Sequence, residues 1–202
     1  MHLLNDPAFV AFAGLLLATG VLRLVEIAVS VRRVRLRPES LVREPWVFPL
    51  MVLLHSGLVF GPLAEVLLLE RPVVAGLAAG AGSILVLAVG LRVWTLRTIG
   101  RSWNVRVVVP PADGIVTTGP YAWIRHPNYL AVILEIATLP LLHTAWISCL
   151  TLSSINAFVL FHRIRTEEAQ LEEIDEWRRT MAGRPRLIPR RRGQTSVCPP
   201  SG

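Results

Sequence analysis

The chain reads as an all-α integral membrane protein of about five transmembrane helices. The last two form a helical hairpin, and a cytoplasmic C-terminal helix follows. Three observations predict this. Of the 202 residues 52% are hydrophobic and 17% charged, where soluble domains carry about 25% charge. The mean hydropathy is +0.52. Long apolar runs, such as Val73 to Leu91, carry no charge at all, which a soluble domain has no reason to maintain.

The first span is read from Pro7 to Val29, with Arg23 and Glu26 near its end. The second runs from Trp46 to Leu69 and the third from Pro72 to Leu96. Each supplies the approximately 20 residues that cross about 30 Å of hydrocarbon. The hairpin is read as Asn128 to Leu142 and Thr144 to Phe161, with Pro140 near the end of its first arm. At about 1.5 Å per residue that arm reaches only about 20 Å, so a four-span reading stays open. From His162 to Thr180 the chain is charged and periodic, a helix extending the fifth span until Gly183 and Pro185. Residues 1–189 are expected to form one membrane domain with a catalytic half at 97–189. Arg190 to Gly202 reads as a disordered basic tail.

The net charge is +7, and every basic side chain is arginine. Most of the arginines fall in three groups, Arg32 to Arg43, Arg97 to Arg125, and Arg163 onward, and the opposite loops hold little beyond Arg71. All three flank apolar runs, which favours anionic membrane lipid and topology over nucleic acid. The positive-inside rule then places these segments and the C-terminus in the cytoplasm and the N-terminus outside. Cys149 and Cys198 are too far apart in character and position to suggest a metal site or a disulfide. The N-terminus has no basic region and no small-residue cleavage signal, so no signal peptide is expected.

Chemistry concentrates in two runs. The first is Gly119-Pro120-Tyr121-Ala122-Trp123-Ile124-Arg125-His126-Pro127-Asn128-Tyr129-Leu130. A residue before proline is pushed to extended geometry, and proline suits the first helical position. A helix therefore starts at Pro127, its free N–H groups suited to a carboxylate or phosphate. An interfacial aromatic belt explains Trp123 and Arg125 singly, but not the run with His126 included. The second run is Arg163-Ile164-Arg165-Thr166-Glu167-Glu168-Ala169-Gln170-Leu171. Arg163 and Glu167 share a helix face, and the competing reading is a surface ion pair worth about 0.3–0.5 kcal/mol. Arg165, Glu168 and Glu172 read as the solvated face.

Together these runs resemble the isoprenylcysteine carboxyl methyltransferase family and its bacterial relatives, which share a C-terminal half with phospholipid methyltransferases. The matching pieces are Asp113 to Tyr121, Arg125-His126-Pro127-Asn128-Tyr129, Arg163 with Glu167-Glu168 and Leu171, and the closing Arg184-Pro185-Arg186-Leu187-Ile188-Pro189. The resemblance spans Arg97 to Pro189 and implies S-adenosylmethionine as methyl donor. It implies a cofactor pocket of Arg106, Asp113, Gly114, Ile115, Val116, Tyr121, His126, Pro127, Asn128, Tyr129 and Glu167. Arg163 would hold the acceptor, and His126 is the nearest base where a hydroxyl or amine is methylated. The family usually has glycine two residues after the tyrosine, where this chain has Ala131.

The acceptor implied is lipophilic: an isoprenoid-linked carboxylate, an alkylated phenol or pyrone, or a phospholipid amine. A sterol-reductase-like enzyme using NADPH and a non-enzymatic lipid-binding scaffold are the alternatives. Among the remaining intramembrane ionisable groups, Arg23, Glu26, Arg92 and His143 are expected to snorkel from span ends. Glu135 is expected to hydrogen-bond inside the bundle. His55 and Glu65 are expected to line a lipid entrance.

Overall fold

The computed structural model describes residues 3–36, 46–100 and 114–189. Arg106, Asp113 and the tail from Arg190 onward lie outside these residues. The described chain is helical, without strand. Its main elements are α1 (Pro7–Leu36), α2 (Val47–Leu69), α3 (Ala75–Ile99), α4 (Pro127–Thr138), α5 (Trp146–Leu171) and α6 (Asp175–Thr180). Short 3-10 turns stand at Gly119–Ala122 and Pro140–His143.

Among the described residues four helices are long and apolar enough to cross a membrane: α1 over Pro7–Arg32, α2, α3 and α5. Their outer faces expose Leu53, Phe60, Leu68, Val86, Leu87 and Leu150, while Arg23, Glu26, Glu65, Arg92 and Glu135 are buried. A surface this apolar around a charged interior fits an apolar solvent. The chain is a multi-pass membrane protein.

The fourth segment is shorter than the spans around it. The helix proper has 12 residues, about 18 Å long at 1.5 Å per residue. It then tightens into the Pro140–His143 turn, since proline cannot continue the backbone hydrogen bonding. The hairpin with α5 is antiparallel. Cys149 Sγ approaches the Ala137 carbonyl at 3.3 Å near the turn, and Arg163 reaches Tyr129 at the far end. Thr144 in the turn donates to the Pro72 carbonyl at 2.6 Å, tying it to the α2–α3 connection. Small residues let α2 close on α5: a Cβ on Gly57 would sit 3.1 Å from Leu152, and one on Gly61 would sit 3.5 Å from the Ser148 hydroxyl.

Several expectations are corrected. The charged run after the fifth span is not one helix to Thr180. It breaks at Glu172–Ile174 and resumes as α6. The cause is an apolar stripe at helical spacing: folding back buries Trp177 and Met181, both 3% exposed. Nor do Arg23, Glu26, Arg92 and His143 snorkel; all are buried. The three charged residues pair with one another and with Glu135, which removes the cost of exposing charge to lipid. His143 lies between the rings of Phe9 and Phe12, with centroids 6.1 and 5.2 Å away. Glu65 is buried and not among the residues that line the cavity described below. Its carboxylate accepts the backbone N–H groups of Ile147 at 3.1 Å and Ser148 at 2.7 Å, satisfying orphan donors at the start of α5.

Candidate active site

The site is built where α4 begins. Gly119 has φ +58°, a left-handed conformation that glycine adopts freely. It also lies so close to α3 that a Cβ there would meet Thr98 Oγ1 at 2.6 Å. This turn carries Tyr121 across the end of α3. Downstream, His126 is the non-helical residue before Pro127, and no side chain caps the helix there. The closing segment straps the region down: Arg125 N donates to Pro185 O at 2.9 Å and His126 N to Arg186 O at 3.0 Å. Arg184 Nη1 donates to the carbonyls of Thr117, at 3.0 Å, and Tyr121.

Glu168 overturns its assignment to the solvated face. It is 3% exposed and is the hub of the strap. Oε1 accepts from Arg125 Nη1 at 2.9 Å and from His126 Nε2 at 3.0 Å. Oε2 accepts from Arg186 Nε at 2.9 Å and Nη2 at 2.7 Å. The half-exposed Arg186 guanidinium is held above its ordinary pKa, first by the hydrogen bond to this carboxylate and then by its charge. Heptad-like spacing alone hides Glu168, because its partners come from two segments distant in sequence. The signal that could have found it was the arginine content of both segments. The same geometry engages His126 Nε2, the nitrogen through which a base role would most simply run. The His126 ring instead stacks on Tyr129, centroids 5.3 Å apart at 20°.

Arg163 and Glu167 meet through a third residue. The Tyr129 hydroxyl accepts from Arg163 Nε at 2.6 Å and donates to Glu167 Oε2. Arg163 Nη1 also contacts Met51 Sδ. Burial, and after it the Glu167 carboxylate, pushes the Tyr121 phenol above its ordinary pKa, keeping it neutral.

These groups share one cavity, open at its mouth. Of the residues singled out from the sequence, Gly114, Ile115, Val116, Tyr121, His126, Asn128, Tyr129, Arg163 and Glu167 line it. Pro127 is buried behind the wall. Ala131, the departure from the family pattern, is fully buried in the packing and off the wall. Asn128 Oδ1 is buried with no hydrogen-bond partner among the described residues, as expected of a group that awaits a donor from a ligand. The opposite wall comes from α1, α2 and α3, including Arg23, Phe48, Met51, His55 and Arg92. Sequence reasoning did not place the buried charges here, although intramembrane charge is a signal of function.

The sequence profile of the isoprenylcysteine carboxyl methyltransferase (ICMT) family matches residues 81–173, from within α3 to the break after α5. The chain is also similar to the uncharacterized protein YpbQ of Bacillus subtilis (strain 168). They are 36% identical over 126 residues, covering 62% of this chain and 74% of the relative.

Proposed function

The chain belongs to the isoprenylcysteine carboxyl methyltransferase family, and on that premise we propose that it uses S-adenosylmethionine to methylate a lipophilic acceptor. The observation that carries this reading is the single cavity with two characters. At the α4 end its wall is polar and aromatic. Between α2 and α5 it is lined by Phe48, Met51, Val52, Val159 and Leu160. The first half suits a charged cofactor and the second a hydrocarbon chain.

The residues present fit that cofactor. The uncapped N-terminus of α4 suits its carboxylate. Glu167 suits its ammonium, and Asn128 Oδ1 offers an acceptor for an N–H donor. Tyr121 and Tyr129 give flat faces for the adenine and for the sulfonium. When bound, the cofactor supplies an electrophilic methyl group. Arg163, held by Tyr129, would orient the acceptor oxygen, and positioning would carry most of the catalysis. His126 orients Tyr129 in this reading. Arg106 and Asp113 belong to the proposed pocket through the family resemblance. The mouth faces the cytoplasm in our reading, because Arg125 and Arg163, from two of the arginine-rich segments, line the cavity at this end.

Titration of the purified protein in detergent with S-adenosylhomocysteine and with NADPH tests the proposal. Saturable binding of the first is expected. Binding of NADPH without it would replace this reading by a reductase.

A further inference from the structure

The cavity continues past Tyr129 between α1, α2 and α3, by way of His55, to Arg23, Glu26 and Arg92. There four ionisable side chains form a cluster. Arg23 Nη1 donates to Glu26 at 2.6 Å, and Arg23 Nη2 donates to Glu135. Arg92 Nη2 donates to both Glu26 oxygens, at 2.8 and 2.7 Å. None of the four residues is more than 8% exposed. Two guanidiniums and two carboxylates leave no net charge, which is how such a cluster is tolerated inside a membrane bundle.

The cluster is not saturated. Arg23 Nε and Arg92 Nη1 are buried and have no hydrogen-bond partner among the described residues. Arg92 Nη1 stands 3.9 Å from Glu135, beyond hydrogen-bond reach. Unmet charged donors in a buried site are costly, and both arginines line the cavity. His55 adds the complementary group. Its Nδ1 is 2.7 Å from the Met51 carbonyl. A carbonyl only accepts, so Nδ1 carries the hydrogen and Nε2 of the neutral ring keeps its lone pair. The cavity floor therefore offers two donors and one acceptor.

We propose that this floor is a recognition subsite for an uncharged oxygen group, a hydroxyl or carbonyl, on the lipophilic acceptor. Arg23 and Arg92 donate to the oxygen lone pairs, and His55 Nε2 accepts the hydroxyl hydrogen. No bond is made or broken there. The inference rests on the cavity being the acceptor site proposed above. Charge selects the class: a carboxylate would give the neutral cluster a buried net charge, and an ammonium would face two guanidiniums.

The test compares equilibrium binding of three matched probes to the protein in lipid nanodiscs: 4-dodecylphenol, 4-dodecylbenzoate and dodecylbenzene. The phenol is expected to bind tightest. His55→Phe and Arg92→Lys, the second keeping a cation beside Glu26, should each weaken phenol binding about tenfold or more. Dodecylbenzene binding should not change. Equal phenol affinity in wild type and both variants overturns the proposal, because the donors are then met by water. Preference for the benzoate overturns it also. S-adenosylhomocysteine is titrated on the same samples. Its failure to bind the wild type would sink the methyltransferase reading, while the dependence of phenol binding on His55 and Arg92 would still decide the subsite.

Discussion

His126 Nε2 lies 3.0 Å from Glu168 Oε1, and both residues are buried. This contact joins the start of α4 to the end of α5. It leaves Glu167, one residue earlier, to face the cavity. Adjacent glutamates thus hold different posts: Glu168 holds the strap, and Glu167 meets Tyr129.

Glu168→Ala is expected to destabilise the fold by about 1–3 kcal/mol, because it leaves the shielded N–H groups of Arg125 and His126 without their acceptor. Unfolding of the variant in detergent, by heat or denaturant, measures this. A loss under about 1 kcal/mol would return Glu168 to the solvated face.

Glu167→Gln should leave stability nearly unchanged and weaken S-adenosylhomocysteine about tenfold or more, through loss of a charged partner. Calorimetric titration reads the affinity. Unchanged affinity would remove Glu167 from the cofactor pocket.

Tyr129→Phe keeps the ring that stacks on His126 and deletes the hydroxyl between Arg163 and Glu167. The expected result is a fall in turnover exceeding the change in cofactor affinity, measured by methyl transfer from labelled donor to membrane lipid extract. Equal losses in both would make the hydroxyl a cofactor contact alone.

Gly119→Ala places a Cβ against Thr98 and demands a left-handed φ. The conformation alone costs about 1–2 kcal/mol. Unfolding midpoints of this variant and of the double variant with Thr98→Ala separate the two causes. Partial rescue by the second substitution is expected, since it clears space but leaves φ unchanged.

Glu65→Ala should cost about 1–2 kcal/mol by uncapping α5. Arg71, whose Nη2 is 3.1 Å from the same Oε1 that accepts from Ile147, should matter less, being more exposed. A ranking with Arg71→Ala as the larger loss would contradict the capping role.

The sequence by itself determined the helical membrane architecture, because apolar length is a local property. It determined the start of α4 too, since Pro127 sets its own backbone and that of His126. The runs around His126 and Glu167 carried the family. Only the tertiary structure decided which side chains share a wall. Glu168 looked solvated, and Arg23 and Arg92 looked interfacial, because helical periodicity says which residues share a face and not what that face meets. Trp177 ended the straight extension of α5 for the same reason: it is buried with the Arg125 guanidinium over its ring, 5.7 Å from the centroid, a partner from a distant segment. Charge pairing across Arg23, Glu26, Arg92 and Glu135 joins three helices from distant parts of the chain, and no pattern within one helix encodes that.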